Sequence, residues 1–215
     1  MTRRALVIAG GPAPHDVQPA SLPPADLVVA ADGGADHARL LGLVPDVVVG
    51  DLDSLSVDGL DWIRSHDIEI IRHPVDKDAT DLDLAMTHAA GLADEVLVID
   101  SGQGRLDHSQ ANILLLASER FASVAVIAAT QHGLITVVRG VRKLQGHEGD
   151  VVSLLAVGGP AGGVTTSGLR WPLADAVLEP GSTLGVSNEF VQPAASVSVD
   201  LGVVLAVQPV RRALD

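Results

Sequence analysis
The stretch Val47-Val48-Val49-Gly50-Asp51-Leu52-Asp53-Ser54 constrains the fold more than any other part of this 215-residue chain. Consecutive β-branched valines read as a buried strand, because the run is too short for a helix. It stops at a glycine and releases two carboxylates, Asp51 and Asp53, two positions apart. If the backbone stays extended, a period of two puts both on one side. Open α/β sheets bind ligands beyond the carboxyl ends of their strands. Two acids side by side at such an end repel each other unless a cation lies between them, so the stretch predicts a divalent-metal site at the mouth of an α/β sheet. The plainer alternative is that Asp51 and Asp53 only build a turn and a helix cap, since Asp-x-Asp-Ser is good turn chemistry.

Charge narrows the partners. The formal net charge of −13 argues against nonspecific binding to nucleic acid or to an anionic membrane. Between Asp46 and Asp83 stand eleven acids against three bases, Arg64, Arg72 and Lys77. That concentration beside a strand end points to a cation, or to a polyphosphate carried by Mg²⁺. With no cysteine, disulfides, zinc-thiolate sites and thiol catalysis are excluded. No apolar run reaches the roughly 20 residues of a spanning helix. Ala5–Ala9 is too short for a signal-peptide core, so a cytoplasmic location is expected.

Along the chain, strands are predicted at 5–9, 27–31, 47–49, 68–71, 95–99 and 123–129. Helices are predicted at 35–41, around 60–65, after Thr80, and from Asp107 through Arg120. Asp32 ends the second strand and is either a helix N-cap or a site residue. Gly42 closes the first helix. Thr80 is an N-cap candidate, with Leu82, Ala85, Met86 and Ala89 on the buried helix face. Asp83 fits the cap, whereas Asp76, Asp78 and Asp81 are freer for a site. Lys77 is either a phosphate contact or a charge compensator. Gly10-Gly11 follows the first strand without completing a dinucleotide fingerprint. Pro12–Pro24 reads as a surface loop.

The segment Asp100-Ser101-Gly102-Gln103-Gly104-Arg105-Leu106-Asp107-His108 joins a strand to a helix. There, backbone N–H groups can cradle phosphate and Arg105 can add a bidentate contact. The alternative is an ordinary loop with Asp107 as cap. His108 is either a base or a structural or exposed histidine at the helix start.

Beyond Gln131 the texture changes. Short β-like runs at 134–138, 151–156, 183–186, 196–199 and 203–207, punctuated by Gly and Pro, predict an antiparallel sandwich or barrel. The domain boundaries are therefore set at 1–130 and 131–215. The chain has two Trp, two Phe and no Tyr, which singles out Trp171, flanked by Arg170 and Pro172. It is either a stacking surface for a flat cationic ligand or a core filler.

Six ordered blocks together resemble the thiamine pyrophosphokinase (thiamine diphosphokinase) family. They are Ala31-Asp32-Gly33-Gly34, Pro45-Asp46 through Gly50-Asp51-Leu52-Asp53-Ser54, Asp76-Lys77-Asp78-Ala79-Thr80-Asp81, Gly104-Arg105-Leu106-Asp107-His108 with Asn112-Ile113, Gly168-Leu169-Arg170-Trp171-Pro172-Leu173, and Ser187-Asn188-Glu189-Phe190. Leu52 stands where bacterial relatives usually carry Phe, and Gln103 where Gly is common.

The resemblance implies an N-terminal Rossmann-like α/β catalytic domain and a C-terminal antiparallel β-sandwich that helps bind thiamine. It implies transfer of pyrophosphate from ATP to the thiamine hydroxyl with Mg²⁺, releasing AMP, in a homodimer whose sites lie at the subunit interface. Asp51, Asp53 and Asp81 would form the metal centre, with Asp32 and Asp78 supporting it. Arg105 and Asp107 would flank the polyphosphate, with Lys77, Thr80 and Gly104 also on the ATP side. Trp171, Ser187 and Asn188 would hold thiamine. The alternatives are a pyrophosphokinase for another hydroxymethyl heterocycle such as a pterin, and a non-catalytic, metal-dependent ligand-binding protein.

Overall fold
The computed structural model describes residues 2–14 and 22–210. The loop predicted from Pro12 to Pro24 lies partly outside them. The chain is mixed α/β and divides into two compact units, Met1–Leu115 with Ser123–Gln131, and Leu116–Ala122 with His132–Asp215.

The first unit alternates strands and helices. Its strands are β1 (Arg4–Ile8), β2 (Leu27–Ala31), β3 (Val47–Gly50), β4 (Glu69–Arg72), β5 (Glu95–Ile99) and β6 (Ala125–Thr130). All pair in parallel, in the order β4-β3-β2-β1-β5-β6. The valines of β3 are buried, as a sheet covered on both faces requires. The chain adds β2, β3 and β4 on one side of β1, then crosses back to place β5 on the other. That reversal opens a crevice at the carboxyl ends of β1 and β5, which is where such sheets bind ligands.

The helices are α1 (Gly34–Leu40), α2 (Val57–Ser65), α3 (Asp81–Ala90) and α4 (Leu106–Leu116). α1 ends as expected at Gly42, whose φ of +67° lets Gly42 N–H reach Arg39 O (3.1 Å) and Leu43 N–H reach Ala38 O (2.9 Å). α3 starts at Thr80, whose hydroxyl accepts from Asp83 N–H at 3.2 Å. Leu82, Ala85, Met86 and Ala89 are all buried, and α3 packs on β1, β2 and β3. α4 stops at Leu116, short of the predicted Arg120. Ser118 is extended there, and Arg139 Nη2 donates to Ala117 O at 2.6 Å, so that carbonyl is taken by a side chain. A 3₁₀ turn, Glu119–Phe121, follows. No helix among the described residues is long and apolar enough to cross a membrane.

The second unit is built on two long antiparallel strands, β7 (Gly133–Gln145) and β12 (Ala194–Pro209). The runs predicted separately at 196–199 and 203–207 are one strand, joined across an irregularity between Val199 and Val204. The first part of β12 also pairs with β9 (Ala161–Ser167), and the later part with β8 (Val151–Ala156). β10 (Ala176–Leu178) extends β9, and β11 (Asn188–Glu189) extends β8. Phe190, Leu154, Leu178 and Val197 lie in the shared core. The strand predicted at 183–186 is a turn instead: Val186 N–H donates to Thr183 O, Gly185 has a φ of +95°, and Leu184 and Val186 are exposed.

Candidate active site
The acidic centre is assembled from two strand ends, those of β2 and β3. Asp32 follows β2 with a φ of +45° and is buried. It is not the cap of α1, whose N-cap is Gly33. Its Oδ2 accepts from the Ser54 hydroxyl and, at 3.3 Å, from Ser54 N–H. Its Oδ1 is buried without a hydrogen-bond partner among the described residues. Beyond β3 the backbone does not stay extended, since Leu52 has a φ of +70° and Asp53 N–H donates to Asp51 Oδ1 at 3.2 Å. The two carboxylates are thus brought together by a turn rather than by strand alternation. Turn chemistry and the convergence of the carboxylates are one arrangement here. Carboxylate oxygens of Asp32, Asp51 and Asp53 lie within 4.8 Å of one another.

Gly50 permits this convergence. Its φ is +153°, and a Cβ there would lie 2.9 Å from both Asp32 Cβ and Asp81 Oδ1. Asp81, expected beside Asp51 and Asp53, is thus near the strand end, but the three-carboxylate group contains Asp32 in its place. Asp81 Oδ1 lies 3.2 Å from Lys77 Nζ, which also bonds Asp51 Oδ2 at 2.5 Å. That hydrogen bond holds the Asp51 carboxyl below its ordinary range and raises Lys77. Asp53 is pushed up chiefly by the charge of Asp51, and Asp81 chiefly by burial. Oxygen-only donors of this kind suit a hard divalent cation such as Mg²⁺, and the unpartnered Asp32 Oδ1 adds a free lone pair to the set. Asp78 is exposed and does not line the adjoining cleft.

That cleft, about 590 Å³, has a size usual for small-molecule sites. Asp32, Asp53, Ser54, Lys77, Thr80 and Asp81 line one part, and Gly10, Gly11, Gly104, Arg105 and His108 another. The β5–α4 loop is braced by residues to which the sequence alone assigned no role. Asp100 Oδ1 accepts from Gly102 N–H at 3.0 Å, and its Oδ2 from Asn112 Nδ2 at 2.9 Å. Buried Ser101 Oγ accepts from Gln103 N–H at 3.1 Å. The available signal was Asp100 itself, another acid at a strand end. Arg105 forms a forked pair with Asp107, Nε–Oδ1 3.1 Å and Nη2–Oδ2 2.6 Å. The pair holds the Asp107 carboxyl down to about 2. Asp107 is outside the cleft lining, and its charge is spent on Arg105.

In the second unit Trp171 is 53% exposed, which rules out the core-filling reading. The Arg170 guanidinium lies 5.0 Å from its ring centroid and pairs with Glu189 at 2.8 Å. Asn188 is buried and brackets the Trp171 backbone. Its Oδ1 accepts from Trp171 N–H (3.1 Å) and Glu189 N–H (2.9 Å), and its Nδ2 donates to Trp171 O (2.7 Å). Ser187, at a φ of +57°, donates its N–H to Ser153 Oγ at 3.0 Å and leaves its own side chain exposed.

The family model described as thiamin pyrophosphokinase, catalytic domain, matches residues 20–128, more than half of the chain, and that of the vitamin B1 binding domain matches residues 139–204. The chain belongs to the thiamin pyrophosphokinase family. Thiamine pyrophosphokinase 1 of Arabidopsis thaliana is 28% identical over 93% of this chain and 84% of its own length. The Bacillus subtilis thiamine pyrophosphokinase is 24% identical, over 85% of this chain and 86% of its own. A crystal structure of that name from Bacillus subtilis has the same fold, with a TM-score of 0.84 at 22% identity, covering 98% of this chain and 100% of the other. A thiamin pyrophosphokinase family protein from Enterococcus faecalis gives 0.79 at 26% identity, with coverage of 98% and 100%. In this thiamin pyrophosphokinase family chain, the acidic centre and the cleft residues from Asp32 to Asn112 fall inside the catalytic match. Trp171, Ser187 and Asn188 fall inside the vitamin B1 binding match.

Proposed function
We propose that this chain transfers the pyrophosphoryl group of ATP to the hydroxyl of thiamine, giving thiamine pyrophosphate and AMP. The observation that carries the reading is the convergence of the Asp32, Asp51 and Asp53 carboxylates beside a nucleotide-sized cleft that also presents Lys77 and Arg105. The catalytic and vitamin B1 binding matches support a division of roles in which a Rossmann-like α/β unit would bind ATP and a β-sandwich unit would bind thiamine.

Phosphoryl-group transfers depend on positioning and on charge neutralisation rather than on a protein nucleophile. Attack by the thiamine hydroxyl oxygen on the β-phosphorus forms one P–O bond, breaks the bond to the oxygen that leaves with AMP, and releases the hydroxyl proton. Asp32, Asp51 and Asp53 would hold Mg²⁺, with Asp81 steadying Lys77 beside them. The ion would supply positive charge that offsets the charge of the phosphates. Arg105 is oriented by Asp107 through two of its N–H groups, and its remaining donors are free for phosphate. Thr80 and Gly104 line the phosphate side. Trp171, with its exposed ring, is the stacking surface for the cationic heterocycle, Ser187 offers a hydroxyl, and Asn188 fixes the backbone that carries Trp171.

We also propose a homodimer with sites at the subunit interface, and a cytoplasmic location. The first rests on the family resemblance and is checked by light scattering. The second is checked by cell fractionation. The deciding experiment is AMP formation from ATP and Mg²⁺ with and without thiamine. Thiamine-dependent AMP with matching thiamine pyrophosphate supports the reading. AMP only with a hydroxymethylpterin moves the substrate, and tight ligand binding without AMP makes this a binding protein.

A further inference from the structure
The loop that carries Asp51 and Asp53 leaves β3 at Gly50 and enters α2 at Val57. Its far end is gripped by an acid that lies outside both the carboxylate group and the cleft lining. Asp36, in the first turn of α1, accepts from Ser56 N–H at 2.8 Å through Oδ2 and from the Ser56 hydroxyl at 2.6 Å through Oδ1. A serine hydroxyl has one proton. Because that proton goes to Asp36, the Ser56 Oγ lone pair is aimed at Gly59 N–H, 2.9 Å away, as the N-cap of α2. A Cβ at position 59 would lie 2.2 Å from Asp36 Oδ1, so the carboxylate occupies space that only glycine leaves open. One turn earlier in the same segment, Asp32 grips Ser54. Two acids four positions apart therefore hold two serines two positions apart, with Asp53 immediately before the first.

We propose that Asp36 is a positioning residue for the metal centre: by fixing Ser56 it sets the course of the 51–56 loop, and with it the distances among Asp32, Asp51 and Asp53. The inference rests on the reading of those carboxylates as the metal site. Residues that orient metal ligands are typically worth 10- to 100-fold in metal affinity.

The test is titration of the purified full chain with Mn²⁺ followed by electron paramagnetic resonance, alongside KM for ATP, kcat and the melting temperature. Asp36→Ala is expected to weaken Mn²⁺ binding about 10-fold and to raise KM for Mg-ATP. Asp36→Asn, which can still accept from Ser56 N–H and donate to its Oγ, is expected to keep most of the affinity. Gly59→Ala, whose methyl displaces the carboxylate, is expected to reproduce the Asp36→Ala loss and to add nothing in the double variant, because the group it displaces is already gone. If Asp36→Ala does not fold, Gly59→Ala and Asp36→Asn carry the same comparison. Unchanged Mn²⁺ affinity with a lowered melting temperature overturns the inference and leaves Asp36 a structural cap. A wild-type chain that binds no Mn²⁺ removes the metal-site reading beneath it, a result distinct from equal binding by wild type and variant.

Discussion
Lys77 Nζ lies 2.5 Å from Asp51 Oδ2, and both side chains are largely shielded from solvent, at 13% and 8% exposure. A cation built into the edge of the carboxylate group limits how much negative charge that group presents. Removing it in Lys77→Met leaves Asp51 and Asp81 uncompensated and strengthens the pull on a divalent ion. A unit charge about 4 Å from a divalent ion is worth about 2 kcal/mol in a water-like medium. Mn²⁺ should therefore bind up to about 30-fold more tightly to Lys77→Met, while KM for ATP rises. Weaker Mn²⁺ binding in this variant would mean that Lys77 serves as scaffold rather than as counter-charge.

Asp53→Asn and Asp81→Asn separate the two candidate carboxylate sets. If Asp32, Asp51 and Asp53 hold the ion, Asp53→Asn lowers turnover and Mn²⁺ affinity by about 100-fold or more. Asp81→Asn, whose carboxylate faces Lys77, costs less in affinity. Circular dichroism should show both variants folded. Equal losses would return Asp81 to the metal centre.

Much of this was legible in the sequence because local physics and tertiary structure agree. The valines of β3, the Thr80 cap and the Leu82–Ala89 buried face all follow from periodicity and capping. The acids at the ends of β2 and β3 stand out because nothing in core packing calls for them. What was not legible depends on backbone turns and distant partners. The left-handed Leu52 brings Asp51 and Asp53 together where an extended chain was expected. Asp32 joins Asp51 and Asp53 in the group, with its Oδ2 held by Ser54, twenty-two positions away. The single strand across 194–209 was hidden by Asp200-Leu201-Gly202, which falls in the register break against β7 and stays in β12 with Leu201 paired to Gly162 of β9.

The Arg105–Asp107 pair makes a prediction about acid. The Asp107 carboxyl is held at about 2, below its ordinary 3.8, chiefly by the hydrogen bond from Arg105. A depressed carboxylate contributes stability that is fully present above the unfolded value and is lost as pH falls through the folded one. The pair should thus persist through pH 4 and weaken only toward about 2. The ¹³C carboxyl resonance of Asp107 is expected to stay at its ionised position down to pH 3, whereas in Arg105→Gln its midpoint should move up toward the ordinary 3.8. Movement near 3.8 in the wild-type chain would show that the pair is not formed in solution.

Trp171 and Asn188 should fail in different ways, because one presents a surface and the other is consumed in holding it. The Trp171 ring is 53% exposed, so its removal costs little burial, and Trp171→Ala should leave the melting temperature nearly unchanged. If the ring stacks on the substrate heterocycle, the same change should raise KM for thiamine about 10-fold with KM for ATP unaffected, a loss of the size expected for one desolvated cation–π contact. Asn188 satisfies Trp171 N–H, Trp171 O and Glu189 N–H from a buried position. Truncation strands those groups at a cost of about 2–4 kcal/mol, a fall in melting temperature of roughly 4–16 °C for a chain of this size. Asn188→Asp keeps the two accepted bonds but loses the donor to Trp171 O, and should fall between wild type and alanine. Melting curves and thiamine saturation curves on the three variants check both halves. A large thermal loss in Trp171→Ala would mean that the ring is part of the core in solution. An unchanged KM for thiamine would remove it from the substrate site.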